Sequence, residues 1–166
     1  LLVTVLAFNL GKEVKVRYAV TRDGMSKESD PLMLAVLPIK DEDSGLPTPA
    51  IDGAVGDELD VNALNEQART RVPGWPFIAE GQTLWLRYFG TEEDGSTFTH
   101  ETYVATTIPA DGVPGGVLPR APVAELRKLK DGSSLRIEFK VGFEGNSDES
   151  TAVVFPVRTY TVNAVQ

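Results

Sequence analysis

The sequence has no cysteine, one histidine and two tryptophans, and it contains no long apolar run. The lack of cysteine excludes thiol nucleophiles, disulfides and zinc–thiolate sites. A single histidine leaves little for a histidine-rich metal centre or a Ser-His-Asp triad. No stretch approaches the roughly 18–20 apolar residues of a membrane-spanning helix. We therefore expect no catalytic residues, no metal, no cofactor and no membrane insertion in this segment, and we predict that the chain is not an enzyme.

Basic residues are also scarce, with 16 Lys and Arg against 24 Asp and Glu, a net charge of −8 and a pI near 4.7. Such a chain repels phosphate backbones, which argues against a nucleic acid partner. Hydrophobic residues nevertheless make up 42% of the 166 residues, enough for a packed core. The length fits one large domain, or one small domain with part of another.

An internal repeat is the most informative feature of the sequence. Residues 8–36 align without a gap with residues 129–157, an offset of 121 that pairs Gly11 with Gly132, Gly24 with Gly145 and Val36 with Val157. Both segments alternate apolar and polar residues, which is typical of strands with one buried and one wet face. The alternating positions are Val14, Val16, Tyr18 and Val20 in the first copy, and Leu135, Ile137, Phe139 and Val141 in the second.

The offset predicts how the chain is divided. We expect residues 1–37, with strands near 12–20 and 31–37, to be the C-terminal part of one unit whose remainder lies upstream. Residues 38–47, rich in proline and acid, read as a linker. Residues 48–166 are expected to form a complete module. Because a two-stranded hairpin is marginal in water, the first segment needs something to pack against.

The second unit reads as about seven short strands with turns between them, which is typical of an all-β sandwich. Strands are expected at 50–55, 58–64, 83–89, 98–107, 134–143 and 152–162, with one turn of helix within 122–130.

The segments "GQTLWLRYFG" and "LKDGSSLRIEFKV" resemble tandem immunoglobulin-like repeats of large, adhesin-like bacterial surface proteins. The resemblance implies an immunoglobulin-like β-sandwich, an extracellular or cell-surface location, and neighbouring modules as partners. The chain lacks the cysteine pair of antibody domains, so the resemblance implies nothing about immune-type recognition.

Aromatic and acidic residues provide the candidate ligand sites. Trp85 alternates out of phase with its apolar neighbours and lies beside Arg87, while Trp75 lies in a Gly/Pro-rich loop. If they are exposed, the side chains of Trp75, Trp85 and Arg87 could bind a sugar or a protein. In the alternative, Arg87 covers Trp85 through a cation–π contact and Trp75 plugs the end of the sandwich. The acids at 41–43 and 92–94 could hold calcium, but they lack the spacing of a calcium loop and read more simply as solvated loops.

The sequence thus predicts a non-catalytic module acting as a structural spacer or adhesion element. One alternative is a carbohydrate-binding β-sandwich that uses the tryptophans, with a glycan or a host or bacterial surface protein as partner. Another is a filament subunit whose first hairpin exchanges strands with a second copy.

Overall fold

The computed structural model describes residues 3–39, 45–110 and 115–164. The acidic residues 41–43 and the centre of the predicted linker lie outside the described residues. The helices are α1 (Val3–Ala7) and α2 (Val123–Leu126), and a 3-10 turn spans Glu149–Thr151. The strands are β1 (Glu13–Val16), β2 (Ala19–Arg22), β3 (Met25–Glu28), β4 (Leu32–Ala35), β5 (Ala50–Ile51), β6 (Glu58–Asp60), β7 (Thr70–Pro73), β8 (Thr83–Thr91), β9 (Thr97–Thr107), β10 (Gly116–Val117), β11 (Ser134–Gly142), β12 (Val153–Val154) and β13 (Arg158–Asn163).

Residues 45–164, called the module below, form two packed sheets, which confirms the predicted all-β sandwich. The main sheet has the order β6-β13-β11-β8-β9, with β12 also paired to β11, and the smaller sheet has the order β10-β7-β5. All neighbouring strands are antiparallel except β6 and β13, which run parallel.

Alternation along β11 places its apolar residues in the core between the two sheets. Leu135, Ile137, Phe139 and Val141 are each 0% exposed. The sheets are also joined by polar contacts, since the Tyr160 hydroxyl accepts from the amide of Ile51 at 3.1 Å. The hydroxyls of Thr70 and Tyr88 share a hydrogen bond of 2.6 Å. Burial raises the pKa of Tyr88 to about 12, so this phenol remains a neutral structural group.

Residues 11–36, called the arm below, form a long hairpin outside the sandwich. β1 pairs with β4, and β2 pairs with β3 around a two-residue turn at Asp23-Gly24. Both turn residues have positive φ, 51° and 78°, as a type I′ hairpin turn requires. β2 and β3 are exposed along their whole length.

The base of the arm is fixed to one end of the module, at a contact called the junction below. Leu10 and Ile39 pack against the module core, and Lys12 pairs with Glu144 at 2.9 Å. Phe8 lies beside Gly81 and Gly145, where a Cβ added at Gly145 would be only 3.2 Å from its ring. A crevice of about 150 Å³ remains between Pro38 and Phe143.

The arm and the end of the main sheet have matching backbone hydrogen bonds. The amide of Gly11 donates to the carbonyl of Val36 at 2.9 Å, and that of Gly132 to Val162 at 2.8 Å. In return Val36 donates to Lys12 at 2.8 Å, and Val162 to Ser133 at 2.9 Å. The geometrical counterpart of β4 is therefore β13.

This pairing corrects the gap-free alignment beyond the loop. Gly11 and Gly132 are 121 positions apart, as the sequence predicts, but Val36 and Val162 are 126 apart. The loop that follows β11 is longer than the one in the arm, and it contains the 3-10 turn and β12. Val36 thus matches Val162 in its hydrogen bonds, and not Val157 as the alignment predicts.

Candidate functional site

The structure separates the two tryptophans that the sequence singles out. Trp75 is 3% exposed and lies in the core, where its ring meets Phe139 and Phe155 edge-on at centroid distances of 5.5 and 5.4 Å. Its indole Nε1 donates to Oε1 of Gln82 at 3.3 Å. Trp75 therefore stabilises the sandwich interior, and its ring is closed to a ligand.

Trp85 lies on the opposite face of β8 from Leu84, Leu86 and Tyr88, as the alternation predicts. Of the two alternatives for this residue, the exposed one is excluded, because only 2% of its surface is accessible. The ring lies against Gly142, where an added Cβ would be 3.3 Å from it, so the missing side chain makes room for the indole. A sugar cannot stack on a ring that is covered in this way.

Arg87 points to the same face as Trp85 but binds carboxylates. Its Nε donates to Glu101 at 2.5 Å, and its two terminal nitrogens donate to the two oxygens of Glu149. Cation–π contacts join Arg136 to Phe89 and Arg158 to Tyr160 instead. The predicted contact of Arg87 with Trp85 is thus replaced by an ionic one.

Arg87 is the centre of a cluster of charges on the outer face of the main sheet, called the ionic ladder below. Lys140 donates to Glu149 at 2.9 Å and pairs with Glu138 at 3.0 Å. Arg136 pairs with Glu138 at 3.2 Å. The ladder alternates in sign across β8, β11 and the 3-10 turn, so its carboxylates are matched by cations.

Within the ionic ladder, the pKa values of Arg87, Lys140 and Glu149 are shifted in the direction that keeps these three groups charged. Hydrogen bonds from Arg87, and then from Lys140, lower the pKa of Glu149 from 4.5 to about 2. The carboxylate of Glu149 in turn raises the pKa values of Arg87 and Lys140. Such groups neither give nor take protons near neutral pH, so the ladder is suited to holding strands together and unsuited to acid–base catalysis.

Sequence reasoning finds Arg87 and misses its partners. Glu101 faces Arg87 across the β8–β9 pair, and Glu149 lies 62 positions further along the chain. The cross-strand pairing of Glu101 could be deduced from the turn at 92–96, whereas Glu149 reaches Arg87 only through the long loop after β11.

The acidic loops provide no metal centre among the residues that the structure describes. No group of three or more His, Asp or Glu side chains there is arranged to hold an ion. Hydrogen bonds from the side chain of Ser96, and then from its amide at 2.8 Å, lower the pKa of Asp94 and close an ordinary turn. The structure also contains, in its described ranges, no helix long and apolar enough to cross a membrane.

Comparison of the chain with protein-family models, with curated proteins and with solved structures finds no match.

Proposed function

We propose that the chain is a non-catalytic segment of a repetitive, extracellular surface protein, built of immunoglobulin-like modules and acting as a structural spacer or adhesion element. The observation that carries the proposal is a similar order of elements at both ends of the chain. A short helix, a turn with a glycine and a strand pairing occur in the same order, as α1, Gly11 and β1–β4 and again as α2, Gly132 and β11–β13.

The pairing of β6 with β13 supports a load-bearing role. These strands are close to the two ends of the module and run parallel, with Thr161 opposite Glu58 and Asn163 opposite Asp60. Tension on the chain ends pulls two parallel strands in opposite directions along their length. The bonds from Thr161 to Asp57, at 2.7 Å, and from Val61 to Asn163, at 3.0 Å, are then loaded together in shear.

The ionic ladder and the buried indoles support a structural role over a catalytic or sugar-binding one. Every shifted charge in the ladder has a partner that holds it in its ionised form, and neither tryptophan offers an open face. The exposed arm favours a second candidate function, that of a filament subunit whose arm exchanges strands with another copy of the chain.

Single-molecule pulling tests the load-bearing role in the full chain, which has no cysteine to interfere with engineered handles. One handle is placed at the C-terminus, and the other at a cysteine that replaces either Asp57 or Ala63. Asp57→Cys loads the β6–β13 bonds in shear, whereas Ala63→Cys pulls at the same end of both strands and opens the bonds one at a time.

We expect the Asp57→Cys geometry to need a clearly higher unfolding force than the Ala63→Cys geometry. Equal forces in the two geometries contradict a load-bearing role. Turnover by the intact chain on panels of hydrolase or transferase substrates contradicts the non-catalytic assignment.

A further inference from the structure

The arm has one mainly apolar and one mainly polar face. The apolar face is half-buried at Val14, Val16 and Leu34 and exposed farther along the arm. Residues directly opposite in an antiparallel pair lie on the same face of a sheet. The register therefore groups Val14 with Leu34 and Val16 with Leu32, and the hydrogen bonds between Tyr18 and Ser29 continue this face along the arm. The exposed fractions are 70% for Tyr18, 55% for Val20, 63% for Leu32 and 75% for Met25.

The opposite face of the arm is mainly polar, although Met33, opposite Lys15, lies on it and is 54% exposed. Arg17 pairs with Glu28 at 3.3 Å, and Thr21 lies opposite Ser26. The arm thus has the pattern of a sheet with one buried and one solvated face, yet none of the described residues forms the second layer that such a sheet packs on.

The module contains the same face with its second layer in place. Val14, Val16, Tyr18 and Val20 occupy the positions of Leu135, Ile137, Phe139 and Val141. These four of the nine residues of β11 are 0% exposed, because the sheet β10-β7-β5 and Trp75 cover them. The sheet that covers β11 in the module therefore indicates which kind of surface would fit the apolar face of the arm.

We infer that the apolar face of the arm binds the apolar face of a β-sheet from a preceding module, a sheet of the same kind as β10-β7-β5, and completes a second sandwich with it. This inference rests on the proposed modular function and names the partner that the arm requires.

The charges on the arm favour such a sheet over a second copy of the arm. Toward its tip the apolar face itself carries two cations, Lys27 opposite Val20 and Arg22 opposite Met25, and it includes no acidic residue. Two arms stacked face to face would bring these cations together. A preceding module like this one would bring an acidic segment, since residues 40–66 contain eight acids and one base.

A chimera tests the inference by supplying the missing layer, together with the copies of β6, β8 and β9 that lie in the same segment. Residues 47–121 are added ahead of Leu1, so that the added copy joins the arm as it joins residues 122–166 in the module. We expect amide exchange of Val14 and Val16 to slow by about 100-fold or more relative to the original chain. We also expect nuclear Overhauser contacts between Tyr18 and the added Trp75, because Phe139 contacts Trp75 in the module.

Two neighbouring residues of β2 provide a matched pair of variants. Val20→Asp places a charge on the apolar face and should abolish the added protection in the chimera, whereas Thr21→Asp, on the polar face, should leave it intact. In the original chain both variants should fold equally well, since both residues are exposed there.

The module within each molecule is the internal control for folding. A chimera with a protected module and an unprotected arm overturns the inference, and so does an added segment that remains unfolded beside a folded module. Arm protection that rises with concentration in the original chain would show that a second copy is the occupant. None of these outcomes bears on the pulling experiment, which loads β6 and β13 alone.

Discussion

Glu149 shows how a single residue ties the irregular loop after β11 to the main sheet. It lies in the 3-10 turn, and its carboxylate receives Arg87 from β8 and Lys140 from β11. A bidentate arginine pair of this kind is stronger than an isolated surface ion pair, although 30% of the Glu149 side chain remains exposed. The loop is held by this interaction and by the cap that Asp148 gives to Ser150 at 3.0 Å.

We predict that Glu149→Gln lowers the free energy of unfolding by about 1 kcal/mol at pH 7, because Arg87 and Lys140 lose their shared anion. The pKa of Glu149 is depressed in the fold, so its contribution is complete above its unfolded value of 4.5 and is lost as the pH falls toward about 2. Urea unfolding followed by tryptophan fluorescence should therefore show the wild type and variant converging across that range.

Glu93→Gln, on an exposed turn, is the control for this measurement and should leave the stability unchanged. A constant difference between wild type and Glu149→Gln from pH 7 to pH 2 would contradict the role of the ionised carboxylate.

The roles of residues could be predicted where alternation decides them, and not where distant segments meet. The face of the sheet on which Trp85 lies follows from the alternation of side chains along β8. The burial of Trp85, in contrast, depends on Gly142 in another strand. Arg87 is visible in the sequence as a charge beside Trp85, whereas its pairing with Glu149 depends on the path of the loop. Whether a side chain is exposed depends on the residues that pack against it. The pattern of a single strand does not identify those residues.

At the scale of elements, the long alternating strands were predictable and the short ones were not. β8, β9 and β11 match the predicted segments closely. β7 and β10 were missed because four and two residues give too little alternation to detect. The predicted strand 12–20 is interrupted at 17–18, because the register shifts there by one residue. Val16 lies opposite Leu32 and Ala19 opposite Glu28, so the returning strand has one extra residue in the segment that contains Pro31.

We predict that two equivalent elements respond differently to the same change. Phe139→Ala in β11 removes a fully buried ring and should cost about 3–5 kcal/mol. Tyr18→Ala, at the equivalent position of the arm, should change stability by less than about 0.5 kcal/mol, because 70% of Tyr18 is exposed. Denaturant unfolding followed by circular dichroism and tryptophan fluorescence gives both values.

A large loss of stability in Tyr18→Ala would mean that the arm's apolar face is already covered in the isolated chain. Equal, small effects of the two substitutions would contradict the assignment of β11 to the core.

At the scale of the whole molecule, the proposed repeat places two similar hairpins in different environments. In the module the hairpin lies under a second sheet and contributes its apolar residues to the core. In the arm the hairpin extends from the junction, and its apolar face is open. The sequence predicts both copies, because alternation and glycine positions repeat. It does not predict how the copies meet, since Phe8, Leu10 and Ile39 contact loops far along the chain.

Residue-resolved hydrogen exchange on the dilute, full-length chain tests this account most directly. Gly11 and Val36 make the same backbone bonds as Gly132 and Val162, so each arm amide has a matched control in the module. The account predicts that the arm amides exchange about 100-fold or more faster than their counterparts. Equal protection of the two sets, at a concentration where the chain is monomeric, would contradict it.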